Sequence, residues 1–404
     1  MTPRRILIVT NGPLCRNPRP LKEAETLGRA GYDVTVLTVR NHAPSETTDL
    51  AILRSAPFQR VCVDLLPGQG GAAVWGRRFR LRLARTLATR LGLPLMEALG
   101  PAAALLRQAR RLPADLTIVH NEVPHWAGTH LLADGRRVAA DMEDWHSEDL
   151  LPGERAGRPL ARIRATERAL LHRASYVSTT SHALAVALQA RHGGRSPLVF
   201  SNAFPLQPDP RRGPPGEPPA FFWFSQTLGP GRGLELFLAA WRLTREPSRL
   251  VLLGSPRAGY VEELRARLPS ERQGRVELLP LVPPDGLASI IARHDLGLAL
   301  EQPFILNRDL TITNKILQYL NAGLAVVASD TAGQREVLAG APEAGVLVEL
   351  AETTQLAGRL DGLLADRGAL AARSRAARRL AEDQYCWEHE APRLLNAVTT
   401  ALVA

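Results

Sequence analysis

Apolar residues in this chain fall into short continuous runs separated by stretches of helical period, and the alternation begins at once. Residues 5–10 form an apolar run that ends at Asn11-Gly12; Leu21, Ala24 and Leu27 then recur at a helical spacing until Gly31, and a second run, 32–37, follows. Continuous rather than alternating apolar runs suit strands buried on both faces, so strand, helix, strand predicts the opening of a parallel α/β sheet. Further strands are expected at 116–120, 137–141, 176–179 and 198–201, filling a first domain over 1–204.

Residues 205–219, PLQPDPRRGPPGEPP, hold too much proline and glycine for a helix or an interior strand and read as a linker. The plan then restarts over 220–384. A strand FFWFS, a loop QTLGPGRG and a helix LELFLAAWRL lead to strands at 249–254, 275–279, 296–300 and 324–328. An amphipathic segment, 385–404, closes the chain; it either caps the second domain or packs back on the first. The fold class expected is α/β, with two Rossmann-like domains in tandem.

A length of 404 residues fits two domains of similar size. Cys15, Cys62 and Cys386 are odd in number and far apart, which excludes a disulfide framework or a zinc site built on cysteines and fits reduced thiols in a cytoplasm. The first apolar run is too short for a signal sequence, and no run reaches the ~20 residues of a membrane span. The net charge of +10 first suggests nucleic acid. However, Lys22 and Lys315 are the only lysines among 50 basic residues, so the excess reads as an arginine-rich composition and no nucleic-acid partner is expected.

That bias directs attention to Lys315. In TITNKILQYLNAGLAVVASDTAGQREV, 311–337, a helix over 314–321 stops at Gly323, a strand follows, and a turn through Gly333 leads to Glu336 at the next helix. Amides at the start of the first helix, with Asn314 and the Lys315 ammonium, are suited to a diphosphate, and Gln318, one turn on, to a ribose.

The same segment resembles the donor-binding region of retaining group 1 glycosyltransferases of GT-B fold, the glycogen synthase-like type, in which N-K-x-x-E-Y precedes G-x-P-V-V-x-S. The likeness extends to the G-x-R-G loop and the terminal W-E-x-E, and so to nearly the whole chain. It implies two domains facing across a cleft, with a nucleotide diphosphate sugar held mainly by the second and no metal or cofactor. Of the family's paired glutamates the first corresponds to Glu301, and Gln318 stands where the second would be. In QTLGPGRG, Gly231 and Gly233 admit backbone close to a diphosphate, Arg232 takes the family's basic position and Gln226 replaces an arginine.

In the first domain, Gly12 is expected at the sheet's carboxyl edge, and Arg16 and Arg19 in the loop beyond it, reaching for the sugar phosphate. Two polar clusters also end strands there. HNEVPHW contains His120, Glu122 and His125; DMEDWHSED contains Asp141, Glu143, Asp144 and His146, with Asp144 in the place of the family's glutamate. Glu122 and Asp144 are the candidates for taking the acceptor's proton, beside Arg232 and Lys315 for the leaving group. The histidine spacing matches no zinc pattern.

Sugar transfer to a carbohydrate, lipid-linked or small-molecule hydroxyl is the activity implied. A nucleotide-sugar epimerase of the same fold and a non-catalytic nucleotide-sugar binder are the alternatives. Between Trp75 and Arg90 there are six arginines and no acid, with Phe79, Leu83, Leu87 and Leu91 on one helical face. Either that face enters the core, the plainer reading and the one expected here, or it rests on the inner face of a membrane.

Overall fold

The computed structural model describes residues 3–68, 71–151, 153, 155–208 and 217–403, so 209–216, most of the expected linker, lies outside the described residues. Two compact units are present: Met1–Phe200 together with Ala391–Ala404, and Ser201–Glu390.

The first unit holds β1 (Arg5–Val9), β2 (Asp33–Arg40), β3 (Gln59–Asp64), β4 (Leu116–His120), β5 (Val138–Met142), β6 (Val177–Thr179) and β7 (Leu198–Val199). They form one parallel sheet in the order β3-β2-β1-β4-β5-β6-β7. Every residue of β4 and β5 is buried, mostly apolar but with Thr117, His120 and Asp141 among them, as suits strands covered on both faces. At the sheet's edge, β3 buries only Val63 of its six residues, and no strand was expected there.

In the second unit β8 (Ala220–Leu228), β9 (Arg249–Pro256), β10 (Val276–Leu279), β11 (Leu296–Ala299), β12 (Ala325–Ser329) and β13 (Gly345–Val348) pair in the order β10-β9-β8-β11-β12-β13, again all parallel. The edge strand β13 was likewise not expected. Successive residues of β8 enter opposite cores: Phe221 and Trp223 pack with Phe237, Trp241 and Leu252, while Phe222 packs with Val251, Leu317 and Tyr319. A sheet with apolar cores on both faces is the three-layer solution such runs demand.

The closing helix, Trp387–Val403, takes part in both units. Near its start Glu390 accepts from the backbone N–H and hydroxyl of Ser201, at 2.9 and 2.6 Å, and Trp387 N–H donates to the Phe204 carbonyl at 3.0 Å. The W-E-x-E motif thus holds the strand of chain leaving the first unit. From Ala391 the helix belongs to the first unit. There Thr399 and Tyr32 hydroxyls lie 3.1 Å apart, and Arg137 donates to the Leu402 carbonyl at 3.2 Å. Of the two expectations for the tail, the return to the first domain is the one the fold shows.

One expectation about packing is overturned. In the helix Gly71–Leu91 the buried residues are Val74, Leu81, Ala84 and Ala88, whereas Phe79 and Leu83 stand in solvent. No helix among the described residues is long and apolar enough to cross a membrane, and the three cysteines are free thiols.

Candidate functional site

From β8 the second sheet winds in both directions, through β9 and β10 on one side and β11, β12 and β13 on the other. Connections leaving β8 and β11 therefore diverge at their carboxyl ends, where open α/β sheets take ligands. β8 carries a bulge between Phe224 and Thr227. The bulge brings the Ser225 carbonyl to 2.1 Å from where a Cβ of Gly254 would lie, so glycine is required opposite it. Arg232 Nη1 donates to the re-aimed Ser225 hydroxyl at 3.1 Å.

Gly233, at φ 81°, starts the helix Leu234–Trp241, and a Cβ on it would meet the Leu300 carbonyl at 2.5 Å. That close approach sets the glycine-rich loop against the end of β11, making Arg232 a neighbour of Glu301. Gly231, at φ 76°, has open space around it. From the other side Lys315, in the first turn of the helix Asn314–Asn321, donates from Nζ to Glu301 Oε1 at 2.7 Å and lies 5.7 Å from the Trp223 ring centroid. Burial pushes the Glu301 carboxyl up, but Lys315, then Arg308 and Arg232, outweigh it and hold it below the ordinary glutamate range. Three cations thus surround one carboxylate, a local excess of positive charge suited to a dianion. Arg308, in the short helix Leu306–Leu310, was not singled out from the sequence, although it sits in the long loop between Glu301 and Lys315.

Supporting groups fix this arrangement. The Ser329 hydroxyl, at the end of β12, donates to the Glu301 carbonyl, and Gln334 Nε2 donates to that hydroxyl at 2.9 Å. Gln334 is wholly buried, and its Oε1 has no hydrogen-bond partner among the described residues. A Cβ at Gly333 would lie 2.4 Å from the Thr311 carbonyl, so the starts of two helices meet at this glycine. Thr313 precedes the helix Asn314–Asn321 without capping it through its side chain, and Asn314 and Gln318 lie one turn apart, both part-exposed. Glu336 lies in the second turn of the helix Ala332–Ala339, where burial first and the Glu336 charge next push the Tyr385 phenol up to about 12.

The first sheet reverses its winding between β1 and β4. Here Asn121 has a positive φ of 67°, unusual for a residue with a side chain. Its Oδ1 accepts from the Thr10 hydroxyl at 2.9 Å and from the Asn11 N–H at 3.2 Å, tying the ends of the two strands together next to Gly12. Strain of this kind costs about 1–3 kcal/mol and collects where geometry must be fixed.

Arg19 departs from expectation. It lies in the helix Pro18–Arg29, 1% exposed, and donates to both oxygens of Asp141, at 2.6 and 2.7 Å, and to the Phe200 carbonyl at 2.7 Å. All of its donors that a phosphate would need face the interior. Around it, His120 Nε2 lies 3.0 Å from Glu23 and Nδ1 lies 3.2 Å from Asp141. Burial alone would lower the His120 imidazole; Glu23 and Asp141 outweigh it and raise it to about 10. The atoms of Glu23, His120 and Asp141 are close enough to hold a metal ion. Yet Arg19 already occupies both Asp141 oxygens, and a charged His120 is a donor only, so the cluster is an internal ion network.

Among the acids, Glu122 accepts from Arg158 at 2.7 Å. Burial would raise its carboxyl, but His146 and Arg158 bring it down to about 2. Such a group stays ionised and is a poor base. Beyond β5 the balance inverts: burial and then the neighbouring Asp144 push Glu143 up to about 7. Sequence reasoning chose Asp144 of this pair; the signal for Glu143, two carboxylates in a row at a strand end, was present in DMEDWHSED.

Residues 219–366 match the family model described as "Glycosyl transferases group 1". They are a group 1 glycosyltransferase domain. No curated protein sequence matches the chain. Solved structures supply the fold of the whole chain around this domain. Anabaena HepE, crystallised with UDP-glucose, aligns with a TM-score of 0.69 at 17% identity over 98% of this chain and 99% of its own. Sucrose-phosphate synthase from Thermosynechococcus elongatus aligns at 0.71 and 15% identity over 99% of both chains. WaaG, a glycosyltransferase involved in lipopolysaccharide biosynthesis, aligns at 0.62 and 16% identity over 96% of this chain and 99% of that one. The glycosyltransferase domain therefore sits in a GT-B fold of two Rossmann-like domains.

Proposed function

We propose that this protein transfers a sugar from a nucleotide diphosphate sugar to a hydroxyl acceptor with retention at the anomeric carbon. The observation that carries this reading is the convergence of Arg232, Arg308 and Lys315 on Glu301 at the winding reversal of the glycosyltransferase domain. The comparisons support it coarsely, since HepE was crystallised with UDP-glucose and the family model is one of sugar transfer.

In the proposed reaction the bond between the anomeric carbon and the diphosphate oxygen breaks, and its electron pair leaves with the diphosphate. Arg232, Lys315 and the amides at Asn314 bind that charge as it grows, which lowers the barrier more than equal binding of the intact donor would. Gln318, a donor and acceptor of hydrogen bonds, holds the ribose, with Gly231 and Gly233 admitting the backbone to the phosphates. The acceptor oxygen bonds to the anomeric carbon on the departing face, and its proton passes to a diphosphate oxygen. In the first unit Glu143 and Asp144 bind the acceptor hydroxyl, while Glu122, ionised and locked on Arg158, orients rather than accepts a proton. No metal or cofactor takes part in this reading, and the acceptor is a carbohydrate, lipid-linked or small hydroxyl compound.

A panel of nucleotide sugars screened by thermal shift identifies the donor, because a ligand of the folded state alone raises its melting temperature. With that donor, Lys315→Ala and Arg232→Ala are each expected to lower turnover about 10²–10³-fold. Turnover within about threefold of wild type in both variants would sink the assignment. Sugar and nucleotide released without any acceptor would instead favour an epimerase, and tight donor binding without turnover on a broad acceptor panel a binding protein.

A further inference from the structure

The helix Gly71–Leu91 turns its larger side chains the wrong way for a core helix. Its buried face is built from Val74, Leu81, Ala84 and Ala88, three of them small or β-branched. On the opposite face Trp75 is 62% exposed, Phe79 66% and Leu83 46%, at the i, i+4, i+8 spacing of one stripe, and Leu87, next in the series, is half-buried. A solvated tryptophan and phenylalanine one turn apart are costly in water without a compensating partner, and isolated exposed apolar residues do not form such a row.

Charge says what covers the stripe. From Leu65 to Met96 the sequence has no acid, and the helix has six arginines, at 77, 78, 80, 82, 85 and 90. Three serve the fold: Arg77 donates to the Asp64 carbonyl, Arg78 to that of Leu65 and Arg85 to that of Ala98, at 3.0, 3.0 and 3.1 Å. Arg80, Arg82 and Arg90 are exposed. Arg82 and Arg80 flank the stripe around the helix, Arg82 on the Trp75 side and Arg80 on the other, with Arg90 about two turns beyond Leu83 in line with it. An apolar row with an indole at one end and guanidinium groups on both flanks matches an interface whose interior is hydrocarbon and whose surface is anionic. A protein partner or a second copy would have to offer an apolar groove lined by acids on both sides, whereas an anionic bilayer offers that pattern everywhere.

We infer that the exposed face of this helix docks the protein on an anionic phospholipid membrane, as a peripheral contact in the plane of the headgroups. The inference stands apart from the sugar-transfer reading, because none of these residues belongs to the glycosyltransferase domain or to the ends of β1, β4 and β5. It replaces the expectation that this face enters the core.

The test is flotation of the full chain with vesicles of phosphatidylcholine and phosphatidylglycerol in roughly equal parts, against vesicles of phosphatidylcholine alone. Wild type is expected to float with the anionic vesicles, to stay behind with the neutral ones, and to be released by high salt. Trp75→Ser with Phe79→Ser, and separately Arg80→Gln, Arg82→Gln and Arg90→Gln together, are each expected to weaken partition roughly a hundredfold. Melting temperatures of both variants are expected to stay within a few degrees of wild type, since the changed side chains are exposed. Absence of flotation on anionic vesicles overturns the inference, as does binding that both variants retain. Sedimentation showing a wild-type dimer that Trp75→Ser with Phe79→Ser dissociates assigns the stripe to a second copy and overturns it as well.

Discussion

Both sheets reverse their winding once, between β1 and β4 in the first unit and between β8 and β11 in the second, yet they dispose of charge there in opposite ways. In the first, Arg19 and His120 are buried and spent on Asp141 and Glu23, and Asn121 ties the two strand ends shut. In the second, Lys315, Arg232 and Arg308 outnumber the one carboxylate they face. The lesson is that the position of a basic residue near a switch point does not reveal its use. What decides is whether the fold supplies enough acids to neutralise it: where it does, the cation is part of the core, and where it falls short, the excess is left for a ligand.

The largest expected effect breaks the first half of this contrast. Arg19→Ala leaves Asp141 and Glu23 buried with too little positive charge and is expected to cost about 3–5 kcal/mol, read by urea unfolding. Lys315→Ala, by contrast, is expected to shift the midpoint less, because Arg308 and Arg232 still face Glu301, while donor turnover falls about 10²–10³-fold. If the two variants showed the same balance of stability and activity loss, the distinction between a spent and a reserved cation would fail.

Next come the glycines of the loop. Gly231→Ala meets only a left-handed backbone, at a cost of about 1 kcal/mol, whereas Gly233→Ala must in addition push back the Leu300 carbonyl, for more than about 2 kcal/mol in total. Gly233→Ala should also separate Arg232 from Glu301 and slow donor turnover; equal stability for the two variants, by thermal melting, would remove the argument that Gly233 docks the loop on β11.

The last effect is in pH. His120 is raised from 6.5 to about 10, so the folded chain keeps a proton that the unfolded chain releases. Its contribution to stability is complete below about pH 6.5 and is lost as pH rises toward about 10. Glu143, raised from 4.5 to about 7, adds a loss in the same direction between those values. Melting temperature of the wild type is therefore expected to fall from pH 7 to 10 more steeply than that of His120→Gln, and parallel curves would show that His120 does not hold its proton.

Much of the architecture was legible in the chain. The strands with sheet neighbours on both sides, such as β4, β5 and β11, were all expected, because burial on two faces makes most of their residues apolar, and the edge strands β7 and β10 were expected with them. β3 and β13, the strands not expected, lie at sheet edges, where one flank is solvated and the apolar signal thins. The helix Gly71–Leu91 shows the complementary failure, because a spacing that marks an apolar face does not say that the face is covered.

In the candidate sites the division is similar. Lys315 stood out against an arginine-rich composition, and the helix Asn314–Asn321 has the limits its residues imply. Sequence by itself determined the two α/β units, the glycine-rich loop and the kinds of charge available to each, because burial period and backbone freedom are written locally. Tertiary structure alone decided that Arg19 is consumed, that Arg308 joins Lys315 and that Glu143 rather than Glu122 holds its proton near neutrality. Those outcomes depend on distances between charges remote in sequence and on how much water each one keeps, and neither quantity exists until the chain is folded.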